Sequence, residues 1–474
     1  MSKTLKSGYL TAIFLITGIS IIMISSSCFT TLKASSEKID SAVKLIILDP
    51  GHGHATFMQG SMNPAIYPEV HVYAPVGPDV QQYIKTIERA NARKNNQTNW
   101  KLVVYTGADY LEKMITEKIG NAVLISGNNS KKSEYIKRSV EAGFHVIADK
   151  PMAITDFKSL EEAFEIAERR KVVLFDPMDL RYDISNILQK ELAQIPELFG
   201  VLRKGTLENP ALVQANLHHY LKGPAGQTAV RPAWFFDVDQ QGHGIVDVST
   251  HLVDLNQWLS FPDKTINYKT DIKVISSREW ATKLQPSEFR LVTRVDKYPD
   301  YLKKDIKDST LSVYSNGEMN YTIKGIHSRV TVLWNYKEPS GSSDTHYSLM
   351  RGTKANLEIR QGATEKYRAT LYVKPPSGAD IAALEESIQI AQQKLQQKYP
   401  GTELIRKGDQ WEVKPGKYER TNSAEVAVRY IRNGKMPEWE APNMIAKYFT
   451  TLEALKKAKK ESKVPRTKSQ DEFR

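Results

Sequence analysis

Apolar and polar residues alternate along residues 43–178 in a rhythm that predicts strands separated by helices. Continuous apolar runs such as VKLIILDP and NAVLISG end at Pro or Gly, which is typical of strands buried on both faces of a parallel sheet. Between these runs, YIKTIERANAR and SEYIKRSVEAG place apolar residues at helical spacing. The alternation predicts an α/β domain with a doubly wound parallel sheet over residues 43–178.

The pattern changes after residue 178. STLSVYSNGEMNYTIKG, SRVTVLWNYK and RATLYVKP alternate apolar and polar residues and carry turn signals, as antiparallel strands do. GHGIVDVSTHLVDLNQWLS has the spacing of a helix. We therefore predict an α+β domain with a largely antiparallel open sheet over residues 179–440. A C-terminal helix follows at residues 441–465, and a tail at residues 466–474.

The N-terminus has the pattern of an export signal. Lys3 and Lys6 precede the apolar run YLTAIFLITGISIIMI and the small residues SSSC, so residues 1–28 are predicted to be a signal peptide. Cys28, the sole cysteine, resembles the lipid-attachment cysteine of bacterial lipoproteins, although Ser25 stands where an aliphatic residue is usual. An uncleaved anchor is the alternative. Residues 29–42 are predicted to be a tether, and the protein is expected in the periplasm or at the outer membrane.

Composition excludes one class of partner. The chain has 474 residues, 41% of them hydrophobic, which is ordinary for a globular protein of two or three domains. The net charge is +12, and half of it lies in the run KKAKKESKVPRTK near the C-terminus. No basic stripe interleaved with aromatic residues accompanies this run, so no nucleic-acid partner is predicted.

A glycine turn follows the first predicted strand, in LDPGHGHATF. Gly51 and Gly53 stand where a dinucleotide's diphosphate approaches the backbone, although Thr56 replaces the third glycine of that fingerprint. The same stretch resembles the DPGHG opening of zinc-dependent peptidoglycan amidases. His54 replaces a glycine of that pattern, and no His/Glu set with ligand spacing follows. No metal is therefore predicted, and the amidase remains the less favoured reading.

Two further stretches carry candidate chemistry. In HVIADKPMAI, Lys150 and Pro151 end a predicted parallel strand, at the edge where open α/β sheets bind ligands. In the predicted helix after Gly242, Asp247 and His251 are spaced i, i+4, so a carboxylate can orient an imidazole that acts as a general base. Each stretch alone also fits a structural ion pair, with Lys150 paired to Asp149 at the surface.

Together these motifs resemble the glucose-fructose oxidoreductase, inositol dehydrogenase and rhizopine-catabolism (Gfo/Idh/MocA) family. That family has a Rossmann domain with a Glu-Lys-Pro motif, and then an α/β domain with a glycine-rich helix start and Asp-x-x-x-His. Asp149-Lys150-Pro151 matches the first motif with Asp in place of Glu, and Asp247 with His251 matches the second. Asn128 in SGNNSKK matches the asparagine of the strand-four loop, and Lys131 replaces its usual histidine.

The resemblance implies a sugar or glycoside oxidoreductase that uses NAD(P). Lys150, Asp247 and His251 are the implied catalytic residues: His251 takes a hydroxyl proton, Asp247 orients His251 and Lys150 polarises the oxygen. The implied cofactor residues are Gly51, Gly53, His54, Asn128, Lys150 and Pro151. The candidate substrate residues are Arg181, Tyr182, His218, His219, Tyr220, Trp234 and Phe235.

Export sets a condition on this chemistry, because no free nicotinamide pool exists outside the cell. A tightly held, self-recycling cofactor fits hydride transfer between sugars, or glycoside cleavage through a 3-keto intermediate. The alternative is a non-catalytic carbohydrate-binding lipoprotein on a dehydrogenase scaffold. The family resemblance also leads us to expect a homodimer or tetramer.

Overall fold

The computed structural model describes residues 42–222, 230–339, 342–376 and 381–461. The predicted signal peptide, Cys28, nearly all of the tether and the C-terminal tail lie outside these residues. Within the described ranges, no helix combines the length and the apolar character that a membrane crossing needs.

The N-terminal domain holds a six-stranded parallel sheet, as the alternating pattern predicted. Its strands are β1 (Leu45–Leu48), β2 (Glu69–Ala74), β3 (Lys101–Thr106), β4 (Ala122–Ile125), β5 (His145–Ala148) and β6 (Leu174–Phe175). Its helices are α1 (Pro78–Asn91), α2 (Tyr110–Glu117), α3 (Lys132–Glu141) and α4 (Phe157–Arg170). The strand order β3-β2-β1-β4-β5-β6 is that of dinucleotide-binding sheets. The order reverses between β1 and β4, so the crevice for a ligand lies at the carboxyl ends of these two strands.

The second domain is built on a ten-stranded mixed sheet. Its strands are β7 (Leu212–Leu221), β8 (Ile272–Leu284), β9 (Ile306–Lys307), β10 (Thr310–Ile323), β11 (Ile326–Lys337), β12 (Thr345–Arg351), β13 (Asn356–Arg360), β14 (Thr370–Lys374), β15 (Glu403–Lys407) and β16 (Gln410–Lys414). Every described pair in this sheet is antiparallel except β7 with β11. The predicted α+β class with a largely antiparallel sheet is therefore confirmed.

The remaining helices cover this sheet and join it to the first domain. They are α5 (Ile184–Ala193), α6 (Ser249–Ser260), α7 (Tyr268–Asp271), α8 (Pro286–Thr293), α9 (Ile381–Lys398), α10 (Ser423–Asn433) and α11 (Glu440–Glu461). Helix α11 packs on β8 and α6 and also reaches α4 of the first domain. Its Lys447, which is fully buried, pairs with Asp176 just after β6 at 2.9 Å.

The helix predicted from Gly242 begins later, at Ser249. Residues 244–248 form turns instead, and two glycines fix this path. Gly242 has a φ of +98°, and a Cβ on Gly244 would lie 1.7 Å from the carbonyl oxygen of Ser315. Asp247 therefore lies before the helix, whereas His251 lies within its first turn.

Candidate functional site

The glycine turn lies at the carboxyl edge of the parallel sheet. The amides of Gly51 and His52 donate to the carbonyl oxygen of Ser126, which follows β4, at 3.0 and 3.1 Å. Residues Gly53–Gln59 then form a short 3-10 helix rather than the α-helix that a dinucleotide fingerprint usually begins.

Asp149 lies directly under this turn and is almost fully buried. Its carboxylate accepts hydrogen bonds from Lys132 Nζ and, at 2.7 Å, from Ser126 Oγ. The Nδ1 atoms of His52 and His54 lie 3.2 and 3.4 Å from Asp149 Oδ2. The surface pair between Asp149 and the neighbouring lysine is thus absent, because Asp149 is bound by Lys132 of helix α3.

His52, His54 and Asp149 form a compact set with metal-ligand chemistry, which sequence spacing alone did not reveal. The carboxylate of this set is already bound by a buried lysine. Burial would raise the pKa of Asp149, but the charge of Lys132 and the two imidazoles hold it well below its ordinary value. A divalent cation here would have to compete with an ammonium group, which argues against the zinc amidase.

Lys150 connects the two domains. It follows β5 at the carboxyl edge of the parallel sheet, and its Nζ donates to Asp247 Oδ1 at 2.5 Å. The other carboxylate oxygen of Asp247 accepts a hydrogen bond from Gln241 at 3.0 Å. Burial would raise the pKa of Asp247, but the charge of Lys150 outweighs it and lowers this pKa. Both side chains are less than one-tenth exposed, so the pair is a desolvated charge pair at the crevice.

His251 occupies the same region but lacks the expected partner. The prediction that Asp247 hydrogen-bonds to His251 is wrong, because the Asp247 carboxylate binds Lys150 and Gln241 instead. The Nδ1 atom of His251 is buried and has no hydrogen-bond partner. Burial and the charge of Lys150 hold the pKa of His251 well below its ordinary value. The imidazole is therefore neutral at working pH and able to accept a proton.

Two family models match this chain. The model described as "Oxidoreductase family, NAD-binding Rossmann fold" matches residues 72–176. The model described as "Putative oxidoreductase C terminal domain" matches residues 188–459, more than half of the chain. The chain belongs to the Gfo/Idh/MocA oxidoreductase family. The first match begins inside β2 and so leaves out the glycine turn, whose sequence departs from the dinucleotide fingerprint at Thr56.

Relatives of known structure share the whole architecture of this Gfo/Idh/MocA chain. A crystal structure described as a "putative oxidoreductase" from Parabacteroides merdae is 47% identical, covers 89% of this chain and 99% of its own, and has a TM-score of 0.86. KijD10, a 3-ketoreductase from Actinomadura kijaniata in complex with NADP, is 13% identical over 86% of this chain and 95% of its own, with a TM-score of 0.53. An uncharacterised oxidoreductase of Schizosaccharomyces pombe is 22% identical over 66% of this chain and 78% of its own.

The Rossmann domain of this family binds NAD(P), and the residues at the glycine turn fit such a group. A Cβ on Gly53 would meet no atom within 4 Å, so open space lies beside the turn. Gly51 is closely packed, since its Cβ would lie 2.9 Å from Asp79 Oδ2. His52 and His54 occupy variable positions on either side of Gly53, and their Nδ1 atoms face the Asp149 carboxylate. Residues of this turn would hold the diphosphate through side chains as well as backbone.

Of the predicted cofactor residues, Asn128 lies at the same edge, after β4. Its Nδ2 donates to Gln240 Oε1 at 2.7 Å, so it binds the segment that leads to Asp247. Pro151, joined to Lys150 by a cis peptide bond, is buried beneath the crevice.

Arg181 and Tyr182 are not placed to bind substrate, contrary to prediction. Arg181 is buried, and its guanidinium donates to both carboxylate oxygens of Asp254 at 2.6 Å and to Glu440 at 2.8 Å. These bonds join helices α6 and α11, so the donors of Arg181 serve the packing of the fold. Tyr182 lies beside this cluster, where burial and the Glu440 charge contribute to a raised pKa.

The aromatic candidates divide between two places. Tyr220 and Phe235 line a cleft that also contains Asp247 and Trp334. Trp234 instead lies at the glycine turn, where its Nε1 donates to Asp79 Oδ2 at 2.8 Å. Trp234 is thus on the cofactor side of the crevice rather than among the cleft residues.

His218 and His219 follow each other on β7 and both contact Asp344. The Nδ1 atoms lie 3.0 and 3.3 Å from the two carboxylate oxygens of that residue. His219 is almost fully buried, whereas His218 stacks on Trp334 of the cleft with ring centroids 4.9 Å apart. His218 therefore contacts a side chain of the cleft, and His219 supports the strand.

Sequence reasoning missed several residues of the site. They are His52, Lys132, Gln241, Trp334 and Asp344. A partial signal existed for His52, which lies inside the glycine motif, and for Lys132, which stands at the start of a helix facing the sheet. No sequence signal marked Asp344, because it is 126 residues from His218 and lies in a polar loop.

Proposed function

We propose that this protein oxidises a hydroxyl of a sugar or glycoside outside the cytoplasm with a tightly bound NAD(P). One observation carries the proposal: Lys150 and Asp247 meet across the two domains at the crevice, beside a half-buried, neutral His251. This arrangement offers a proton acceptor and a cation to the oxygen of one alcohol group. The aromatic side chains of Tyr220, Phe235 and Trp334 line the cleft beside Asp247 and make this part of it apolar.

The residue roles follow from the hydrogen bonds. Lys150 would polarise the reacting oxygen, and Asp247 would hold the Lys150 ammonium in place, rather than orient the histidine. His251, whose Nδ1 has no partner, would take the proton of the hydroxyl. When bound, NAD(P) supplies the hydride acceptor. The fold of KijD10, a 3-ketoreductase, is compatible with such chemistry.

The N-terminal signal supports a protein that keeps its cofactor. Residues 1–28 have the pattern of a signal peptide, and Cys28 that of a lipid-attachment site. A cofactor that cannot be exchanged must be regenerated within each reaction cycle. Hydride transfer between two sugars and glycoside cleavage through a 3-keto intermediate both satisfy this condition.

The test begins with the purified protein and a panel of methyl and p-nitrophenyl glycosides. Stoichiometric nicotinamide dinucleotide should be released on denaturation, and at least one glycoside should reduce the bound cofactor, as followed by near-ultraviolet absorbance. Lys150→Met and His251→Ala should each lower this rate by about 10²-fold or more. The matched control is Lys158→Met, at an exposed position of helix α4.

Three results would contradict the proposal. Absence of bound nicotinamide together with intact sugar binding would favour the carbohydrate-binding lipoprotein. Stoichiometric zinc would favour the amidase. Unchanged rates in both active-site variants would show that the site lies elsewhere.

A further inference from the structure

A carboxylate–imidazole pair of the kind expected at Asp247 and His251 exists at a different place in the cleft. His218 lies on β7, and Asp344 immediately precedes β12, the neighbouring strand. His218 Nδ1 lies 3.0 Å from Asp344 Oδ2. Burial would raise the pKa of Asp344, but hydrogen bonds from His218 and Lys222 outweigh it and hold this pKa below its ordinary value. The carboxylate is thus ionised and fixes the proton of the neutral imidazole on Nδ1.

The opposite nitrogen of His218 is buried and has no partner. His218 Nε2 belongs to the few buried side-chain atoms without a hydrogen bond among the described residues. A buried polar nitrogen without a partner is costly unless a ligand completes its hydrogen bonding. Because Asp344 holds the proton at Nδ1, the free Nε2 carries a lone pair and acts as a base.

His218 lies beside the cleft that Asp247 lines. Its ring stacks on Trp334 at an interplanar angle of 26°, and Trp334 lines the cleft together with Asp247. The charged and titratable groups that act on His218 are Asp344, Lys222, Lys150 and the adjacent His346. Burial is the largest effect and lowers the pKa of His218, while Asp344 opposes it.

We propose that His218, positioned by Asp344, is a second acid–base residue that removes a proton from carbon next to a ketone of the oxidised sugar. This inference rests on the proposed function and deepens it. His251 serves the hydroxyl, whereas His218 has the carboxylate needed to stabilise an imidazolium. Abstraction of a weakly acidic proton from carbon requires such stabilisation more than transfer from oxygen does.

The step balances without an added reagent. In a 3-keto glycoside, His218 Nε2 takes the proton from C2, and the electron pair of that C–H bond forms a C1–C2 double bond. The bond between C1 and the leaving oxygen breaks, and its electron pair stays on that oxygen, which takes up a proton from His251 or solvent. The step is therefore elimination from a keto-glycoside. It is one part of the self-recycling glycoside cleavage that we proposed, which also requires addition of water to C1 and reduction of the ketone.

A synthetic 3-keto p-nitrophenyl glucoside tests this step directly. This compound is already oxidised at C3, so the assay does not require the bound nicotinamide to react. In deuterated buffer the wild-type protein should accelerate both deuterium exchange at C2 and release of p-nitrophenol. The His218→Asn variant retains an amide that can bind Asp344 but lacks the second nitrogen, and should lower both rates by about 10²–10⁴-fold.

Two further variants separate chemistry from packing. Asp344→Asn should slow exchange and shift the acid limb of the rate–pH profile to lower pH, because the imidazole loses the charge that raises its pKa. His346→Gln is the matched control, since His346 also has a buried Nε2 without a partner, but its Nδ1 contacts the amide oxygen of Asn216 rather than a carboxylate. Its exchange rate should equal that of the wild-type protein.

Nitrogen-15 NMR of histidine-labelled wild-type protein measures which ring nitrogen carries the proton. This measurement does not depend on whether a variant folds. The signal of His218 should show protonation on Nδ1 and a free Nε2. The opposite tautomer, an unchanged rate in His218→Asn, an equal loss in His346→Gln, or no wild-type exchange would each overturn the inference. Failure of the proposed oxidation has a different signature, because unoxidised glycosides would then leave the bound cofactor unreduced while C2 exchange persists.

Discussion

Replacement of Lys132 by methionine should destabilise the protein strongly, even though no sequence motif assigned a role to this lysine. Lys132 Nζ donates to the carboxylate of Asp149 and, at 3.0 Å, to its carbonyl oxygen. The side chains of Lys132 and Asp149 are 1% and 4% exposed. Removal of the ammonium would leave a carboxylate in a site that water does not reach.

The magnitude follows from this burial. Removal of one partner from a buried ion pair costs about 3–5 kcal/mol, because the remaining charge has lost its compensation. The Ser126 hydroxyl still donates to Asp149, so we expect the lower half of that range. Equilibrium unfolding in urea, with circular dichroism as the signal, measures the free energy of unfolding. Lys137→Met on the same helix is the control, since its half-exposed pair with Glu162 should contribute less than about 1 kcal/mol.

A second substitution tests the cause. Asp149→Asn in the Lys132→Met background removes the buried charge, and should recover most of the lost free energy. If the free energy of unfolding of Lys132→Met lies within about 1 kcal/mol of the wild-type value, the reasoning about the buried pair is refuted. The same conclusion follows if the double variant is no more stable than the single one.

Three other predictions concern stability, metals and pH. Arg181→Met should cost about 3–5 kcal/mol of stability because two carboxylates lose their partner, while the apparent KM for glycosides stays unchanged; a tenfold higher KM would restore a substrate role. Chelation with EDTA should leave the thermal midpoint unchanged, because Asp149 is already bound by a lysine; stoichiometric zinc by elemental analysis would contradict this. Burial lowers the pKa of His346 to about 4, so the unfolded chain binds a proton below its own pKa of about 6.5 that the folded chain rejects. The contribution of His346 to stability should therefore fall by up to about 3 kcal/mol between pH 6.5 and 4, and urea titrations of His346→Asn should show a decline that is smaller by this amount.

Much of the architecture follows from local pattern. The parallel sheet could be predicted because its strands are short apolar runs with glycine or proline at their ends, and helices of clear amphipathic spacing separate them. Lys150 could be placed at the binding edge because strand ends of such a sheet converge there. These inferences need only the order of elements along the chain.

The partners of the site residues could not be predicted in the same way. The i, i+4 spacing of Asp247 and His251 implies contact only if both lie in one helix, and Gly242 and Gly244 delay its start. The Asp247 carboxylate instead finds Lys150, 97 residues away in the chain. Arg181 was assigned to the substrate through the family resemblance, and its actual partners, Asp254 and Glu440, lie on two helices that are distant in the chain.

The mismatch between Asp149 and the family's glutamate has a physical explanation. The shorter carboxylate remains under the glycine turn, where it binds Lys132 and contacts the imidazoles of His52 and His54. These two histidines lie within the glycine turn, so the turn and the Asp149-Lys150-Pro151 motif meet at one carboxylate. The sequence shows the glycine turn and the lysine motif separately, but it does not show that both contact one carboxylate.

The most direct test of the account is the redox state of the nicotinamide that purifies with the protein. We expect about one dinucleotide per chain, identified by mass spectrometry after denaturation. A reactive glycoside should reduce it in the wild-type protein but not in Lys150→Met that retains the same cofactor load. Purified, folded protein that carries no nicotinamide and binds none on addition would contradict the central claim.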